Sequence, residues 1–221
     1  MIRPTRGRGT VDADGDRRIA HRREPPMIEL LFPFGNAAIG GEVGASTRRW
    51  LERAVIGLNL CPFAKAVHVG QRIRYAVTAA RTAGELRAEL AHELEALAQA
   101  DPARLETTLL IHPRAMTEFV DYNAFLDEAD ATVRRLGLEG VLQIASFHPQ
   151  YEFAGSAPDD VDNCTNRSPY PTLHLLREAS IARAVAAFPD AAAIFERNIA
   201  TLRRLGHEGW RRLLQGETAP E

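Results

Sequence analysis

Lysine is almost missing from this chain. Lys65 stands alone among 27 basic residues, all the others being arginine. A coding bias toward arginine would account for that. The sharper reading is that position 65 wants a compact ammonium with a tunable pKa, which a guanidinium cannot supply. Cysteine is scarce as well. With only Cys61 and Cys164 in 221 residues, no disulfide framework is implied, and a reducing cytoplasm is the expected compartment. No run of about eighteen apolar residues occurs, so no membrane-spanning helix is expected. A net charge of -2 offers no basic face of the kind nucleic acid requires. What remains is ordinary: 45% hydrophobic and 25% charged residues describe a globular chain, long enough to bury a core without staples.

The chain divides by composition. Residues 1–26 carry seven arginines and four acids, with no apolar periodicity. They read as a disordered tail, or as an upstream extension before a true start at Met27. A short apolar run, Ile28 to Phe34, and a Gly/Ala-rich stretch complete a poorly ordered extension over residues 1–45. A single domain is expected over 46–215, followed by a short tail, 216–221.

Within that domain, strand and helix patterns alternate. Trp50, Leu51, Ala54, Val55 and Leu58 recur at helical spacing after Ser46 or Thr47 as N-cap, and Pro62 ends that helix. Ile73, Tyr75 and Val77 alternate as in a strand over 72–78. Leu86, Leu90, Leu94 and Leu97 mark a helix, and Thr107 to Ile111 a strand. A helix from about Thr117 turns Val120, Phe125, Leu126, Ala129, Val133 and Leu136 inward and stops at Gly137. Val141 to Phe147 is a third strand. Pro171 and Thr172 then open a helix to about Phe188, another runs from Asp190 to Gly206, and a short last one carries Trp210, Leu213 and Leu214. The expected fold is α/β: a small, mostly parallel three-stranded sheet flanked by helices, with a helical C-terminal part.

Between the third strand and the next helix lie about twenty residues, 148–171, with turn chemistry and no periodicity. Connections that long are usually functional or disordered. Tyr151, Phe153, Val161 and Tyr170 can anchor this one, which favours an ordered functional loop. Two strands end in the same words, I-H-P at 111–113 and F-H-P at 147–149. In a parallel sheet, sites form beyond the carboxyl ends of the strands, so His112 and His148 would share a rim. The bland alternative is that each histidine merely caps a strand end.

A helix opening at Pro171 would offer its N-terminus to an anion, with Arg167 as a bidentate fork and Ser168 as a hydroxyl. Lys65, Cys61 and Asn166 are further candidates for holding a substrate. His174 and Glu178, four apart, would share one helical face. That spacing suits an acid/base pair or, with His148, a divalent metal site. It equally suits a plain surface contact. Asp162 completes the catalytic candidates, while Asn163, Thr165 and Asn166 are typical turn formers. Cys61 reads as a structural thiol at a helix C-terminus, and Cys164, in the loop, would be the more accessible thiol if exposed. The expected function is a cytoplasmic enzyme acting on a small anionic metabolite by hydrolysis or group transfer, using His148, His174, Glu178, His112 and Asp162. The alternative is a non-catalytic small-ligand or partner-binding module that uses the 148–171 loop.

Three long strings, T-R-R-W-L-E-R-A-V-I-G-L-N-L-C-P-F-A-K (47–65), F-H-P-Q-Y-E-F-A-G (147–155) and N-R-S-P-Y-P-T-L-H-L-L-R-E (166–178), resemble a bacterial family of uncharacterised proteins, DUF1415. The resemblance covers roughly 46–215. It implies one compact bacterial domain and carries over no catalytic residue.

Overall fold

A computed structural model describes residues 37–187 and 191–216, with the side chains of 37–40, 187 and 191–192 outside the description. The expected extension up to residue 36, with its apolar run, and the tail beyond 216 lie outside these residues.

The first helix, α1 (Ala37–Trp50), begins well before Ser46 and runs on as one π-helical turn, Leu51–Ile56. Trp50, Leu51, Ala54 and Val55 are buried as their spacing predicts. The π turn carries its own signature: the Gly57 N–H donates across five residues to Glu52 O at 3.0 Å. A Cβ at Gly57 would lie 2.2 Å from Arg53 O, so only glycine closes that turn. Such π turns are rare and concentrate at functional sites. A short α2 (Ala64–Val69) follows, then β1 (Ile73–Val77).

Helix α3 (Ala83–Gln99) starts at a capping box, Thr82 bonded to Glu85 N–H and Glu85 reaching back to the Thr82 N–H. Its leucines 86, 90, 94 and 97 are wholly buried, each contributing roughly 1.5–3 kcal/mol. Strand β2 (Thr107–Ile111) is buried along its length. Helix α4 (Phe119–Arg135) turns Tyr122, Phe125, Ala129 and Val133 inward and ends before Gly137, whose φ of 66° suits the helix exit. Val120, expected inward, is 79% exposed; the inward stripe is set by Tyr122 instead. Strand β3 (Leu142–Phe147) closes the expected set.

The sheet departs from expectation at one segment. Where a helix was expected from Pro171, residues Thr172–Arg177 form a strand, β4, and only at Glu178 does α5 (Glu178–Ala187) begin. The sheet therefore has four strands in the order β1-β2-β4-β3, with β1 and β2 parallel and β4 antiparallel to both neighbours. It is mixed, not a three-stranded, mostly parallel sheet. The physical reason lies in burial. Leu173 and Leu175 alternate into the apolar layer beneath α3 and α4, and β4 pairs with a strand on each side. Together these outweigh the helical propensity of a Leu-rich segment. Arg177, at the end of β4, is nearly buried, its Nη2 donating to Leu97 O (2.6 Å) and Ala100 O (2.8 Å). That places a cation against the carbonyl end of α3, where the helix dipole favours it.

The opposite sheet face is covered by α1, the π turn and α6 (Ala191–Gln215), the last broken at Gly206 (φ 66°). The stop expected at that glycine is thus a break between two helical stretches. Trp50 meets Phe147 edge-on at 5.2 Å. Among the described residues no helix is long and apolar enough to cross a membrane.

Candidate functional site

Strands β2 and β3 run in the same direction, but β4 lies between them. His112 and His148 nonetheless meet at one rim, because both rings pack on Tyr122, His112 stacked at 5.7 Å and His148 at 5.0 Å. Phe119, one turn earlier on α4, covers His148 at 5.5 Å. The loop threads this rim. The backbone N–H of His112 donates to Pro171 O (3.0 Å) and that of His148 to Asn166 O (3.2 Å).

Tyr122 sits where the ladder between β3 and β4 ends. Its hydroxyl donates to Thr172 O at 2.9 Å and accepts from the Phe147 N–H at 3.1 Å, joining the two residues of the last rung. Burial raises the phenol well above its ordinary pKa of 10. Tyr122→Phe should cost about 2 kcal/mol in a urea melt, since two buried backbone groups lose their partner. A loss below about 0.5 kcal/mol would mean that the rung closes on itself.

Both rim histidines are occupied by backbone. His112 donates from Nδ1 to Ala115 O at 2.9 Å, while its buried Nε2 has no hydrogen-bond partner. Burial pushes its pKa from 6.5 down to about 4, the neighbouring His148 adding to the effect. His148 donates from Nε2 to Met116 O (3.2 Å) and accepts the Gln150 N–H on Nδ1 (3.1 Å). Burial lowers its pKa too, opposed by bonds to the Met116–Thr117 backbone and by Glu118. These are neutral imidazoles clamping chain turns, close to the strand-end caps that were the plainer expectation.

His174 is elsewhere. Lying between Leu173 and Leu175 on β4, it points to the other sheet face, 6.0 Å from the Phe147 ring. Thr107 Oγ1 gives its proton to Leu175 O (2.5 Å), so at 2.8 Å it accepts from His174 Nε2–H. Desolvation lowers the pKa of His174 to about 4. The expected pocket shared by His148 and His174 therefore does not form, because a strand sends alternate side chains to opposite faces. Glu178 opens α5 and shares no helical face with His174. Among the described residues, no group of three His, Cys, Asp or Glu side chains could hold a metal ion, so His148, His174 and Glu178 do not assemble one.

The loop is built around a residue that sequence reasoning left among the turn formers. Asn163, in a 3-10 turn (Val161–Asn166), is fully buried. Its Oδ1 accepts from the Phe153 N–H (3.0 Å) and the Ser156 hydroxyl (2.8 Å), and its Nδ2 donates to Ala157 O (2.8 Å). Nothing in the local sequence separates it from Asn166, whose Nδ2 donates to Ser146 O. Asp162 is paired bidentately with Arg203 of α6 (3.1 and 2.7 Å), which fastens the turn to that helix. Ser168 donates to Tyr170 O at 2.6 Å. Cys164 is buried, its thiol pushed up by desolvation, while Cys61 is partly exposed; the expected accessibilities are reversed. Lys65 is exposed on α2.

Arg167 keeps a place at an opening. Its Nε donates to Tyr151 O (3.2 Å) and its Nη2 to Pro158 O (2.5 Å), bracing the loop from within. The same side chain lines an open cleft of about 440 Å³, together with Glu118, Phe119 and Val120 at the start of α4 and Pro149, Glu152 and Pro158 of the loop. Glu118, the N-cap of α4, makes no side-chain capping bond. The helix start expected at Pro171 is absent, yet another, that of α4, faces the cleft beside Arg167.

A family model described as a protein of unknown function (DUF1415) matches residues 42–212. No curated protein and no solved structure matches the chain.

Proposed function

We propose that this chain, which belongs to the DUF1415 family, is a small-ligand binding module whose 148–171 loop forms the recognition cleft with the first turn of α4. One observation carries this reading. Arg167 lines an open cleft of a size usual for small-molecule sites, whereas the histidines put forward for acid/base work are engaged or lie on opposite sheet faces. A guanidinium held by two loop carbonyls is pre-organised to receive a carboxylate or phosphate group, and the uncapped first turn of α4 adds backbone N–H groups of favourable sign. The walls between are apolar, from Phe119, Val120, Pro149 and Pro158.

The enzyme reading rested on histidines, and none of them lines the cleft; His148 has both ring nitrogens bonded to backbone, which favours the binding module.

Isocaproate, an apolar carboxylate, is a direct probe. Titrated into labelled protein, it should shift the amide signals of residues 118–120, 150–152 and 167. Arg167→Lys should weaken that binding about tenfold although the charge is kept, because the fork is lost. Shifts confined to other parts of the chain, or equal affinity in the folded variant, would refute the assignment.

A further inference from the structure

The cleft carries charge of both signs. Glu118 and Glu152 line it with Arg167, yet no ion pair within 4.0 Å joins either carboxylate to that guanidinium. Opposite charges on one concave surface ordinarily pair when they can reach each other. Here Arg167 is held by its bonds to Tyr151 O and Pro158 O, and the unpaired charges share the cleft with the apolar lining of Phe119, Val120, Pro149 and Pro158. A simple anion would satisfy Arg167 but would also face two carboxylates, and a simple cation would meet the guanidinium.

Resting on the cleft reading above, we propose that the ligand is a small zwitterion, bearing a carboxylate and an ammonium group on an apolar frame, as an amino acid or short peptide does. The carboxylate would take the fork of Arg167, and the ammonium would bridge to Glu152 and Glu118. The frame would lie along Phe119, Val120 and the two prolines. Recognition of this kind gains selectivity by refusing partial matches, since a ligand lacking either charge leaves one wall group uncompensated.

Calorimetric titration with three matched probes tests this: L-leucine, isocaproate (the same frame without the ammonium) and isopentylamine (the frame without the carboxylate). L-leucine should bind about tenfold or more tightly than either, the loss expected for one charge-assisted hydrogen bond. Glu152→Gln, Glu118→Gln or the double variant, with folding confirmed by circular dichroism, should erase that advantage over isocaproate while leaving isocaproate affinity equal or higher. Isocaproate binding as tightly as L-leucine, or an L-leucine advantage indifferent to both Glu→Gln changes, would overturn the zwitterion proposal and leave the anion cleft standing. If none of the three bound, the cleft itself would be refuted as a site for ligands of this size, and the proposal with it.

Discussion

Acidification from neutral to about pH 4.5 should remove several kcal/mol of stability from this protein, more than its exposed carboxylates would explain. His112 and His174 are both held neutral by burial, with pKa values lowered from 6.5 to about 4. The folded state then binds fewer protons than the unfolded one between those values. The stabilisation is fully present above pH 6.5 and is lost as the pH falls through that window toward 4. By about pH 4.5 the loss for His112 is on the order of 2–3 kcal/mol. His174, lowered into the same range by desolvation, contributes in the same direction, as does the lowered pKa of His148. Urea unfolding at a series of pH values measures this directly. His112→Asn can keep a donor for Ala115 O while removing the titrating ring, so it should flatten the acid limb. An unchanged slope in that variant would assign acid lability to other groups.

Asn163→Ala should be among the most damaging single substitutions, by about 3–4 kcal/mol. It leaves the Phe153 N–H and Ala157 O of a part-buried turn without their partner and empties the fully buried Asn163 site, each unpaired group costing roughly 1–3 kcal/mol where water does not reach it. The Ser156 hydroxyl loses less, since it also bonds Phe153 O at 2.8 Å. Because Pro149, Glu152, Pro158 and Arg167 all lie in this loop, the cleft should go with it: limited proteolysis should cut within 150–160, and isocaproate binding should vanish. Asn163→Asp should be no better, since a carboxylate would face Ala157 O without a donor. If the Ala variant unfolds at nearly the wild-type urea concentration, the loop is held by its aromatic contacts, Tyr151 with Phe119 (5.2 Å) and with Phe153 (5.0 Å), and not by Asn163.

Much of the framework was readable from spacing alone. The leucines of α3, the apolar run of β2 and the alternation of β1 name elements whose burial repeats at the period of their own backbone, so sequence and structure agree to within a few residues. The prolines after His112 and His148 ended two strands at one rim, and the 148–171 loop that follows the second encloses Asn163 and Cys164 as buried residues. The resemblance to DUF1415 rested on three strings, and the matched family model spans all three.

What spacing did not reveal depends on partners distant in the chain. Thr172–Arg177 contains good helix formers, and only insertion between β2 and β3 makes it a strand. That one change sends His174 to the far face, separates it from Glu178 and removes the helix start at Pro171. The inward place of Tyr122 on α4 was legible but missed: it lies two turns before Ala129 on the same face, while Val120 falls on the opposite one. Asn163 and Asn166 are the same residue type in the same turn, and which becomes the hub follows from which side chain the packed loop encloses. The sequence by itself determined the α/β class of fold and most of the elements, because those follow from local periodicity and chain punctuation. The tertiary structure alone decided which polar groups share a space, because the order of strands in a sheet and the face a side chain takes are settled by long-range pairing.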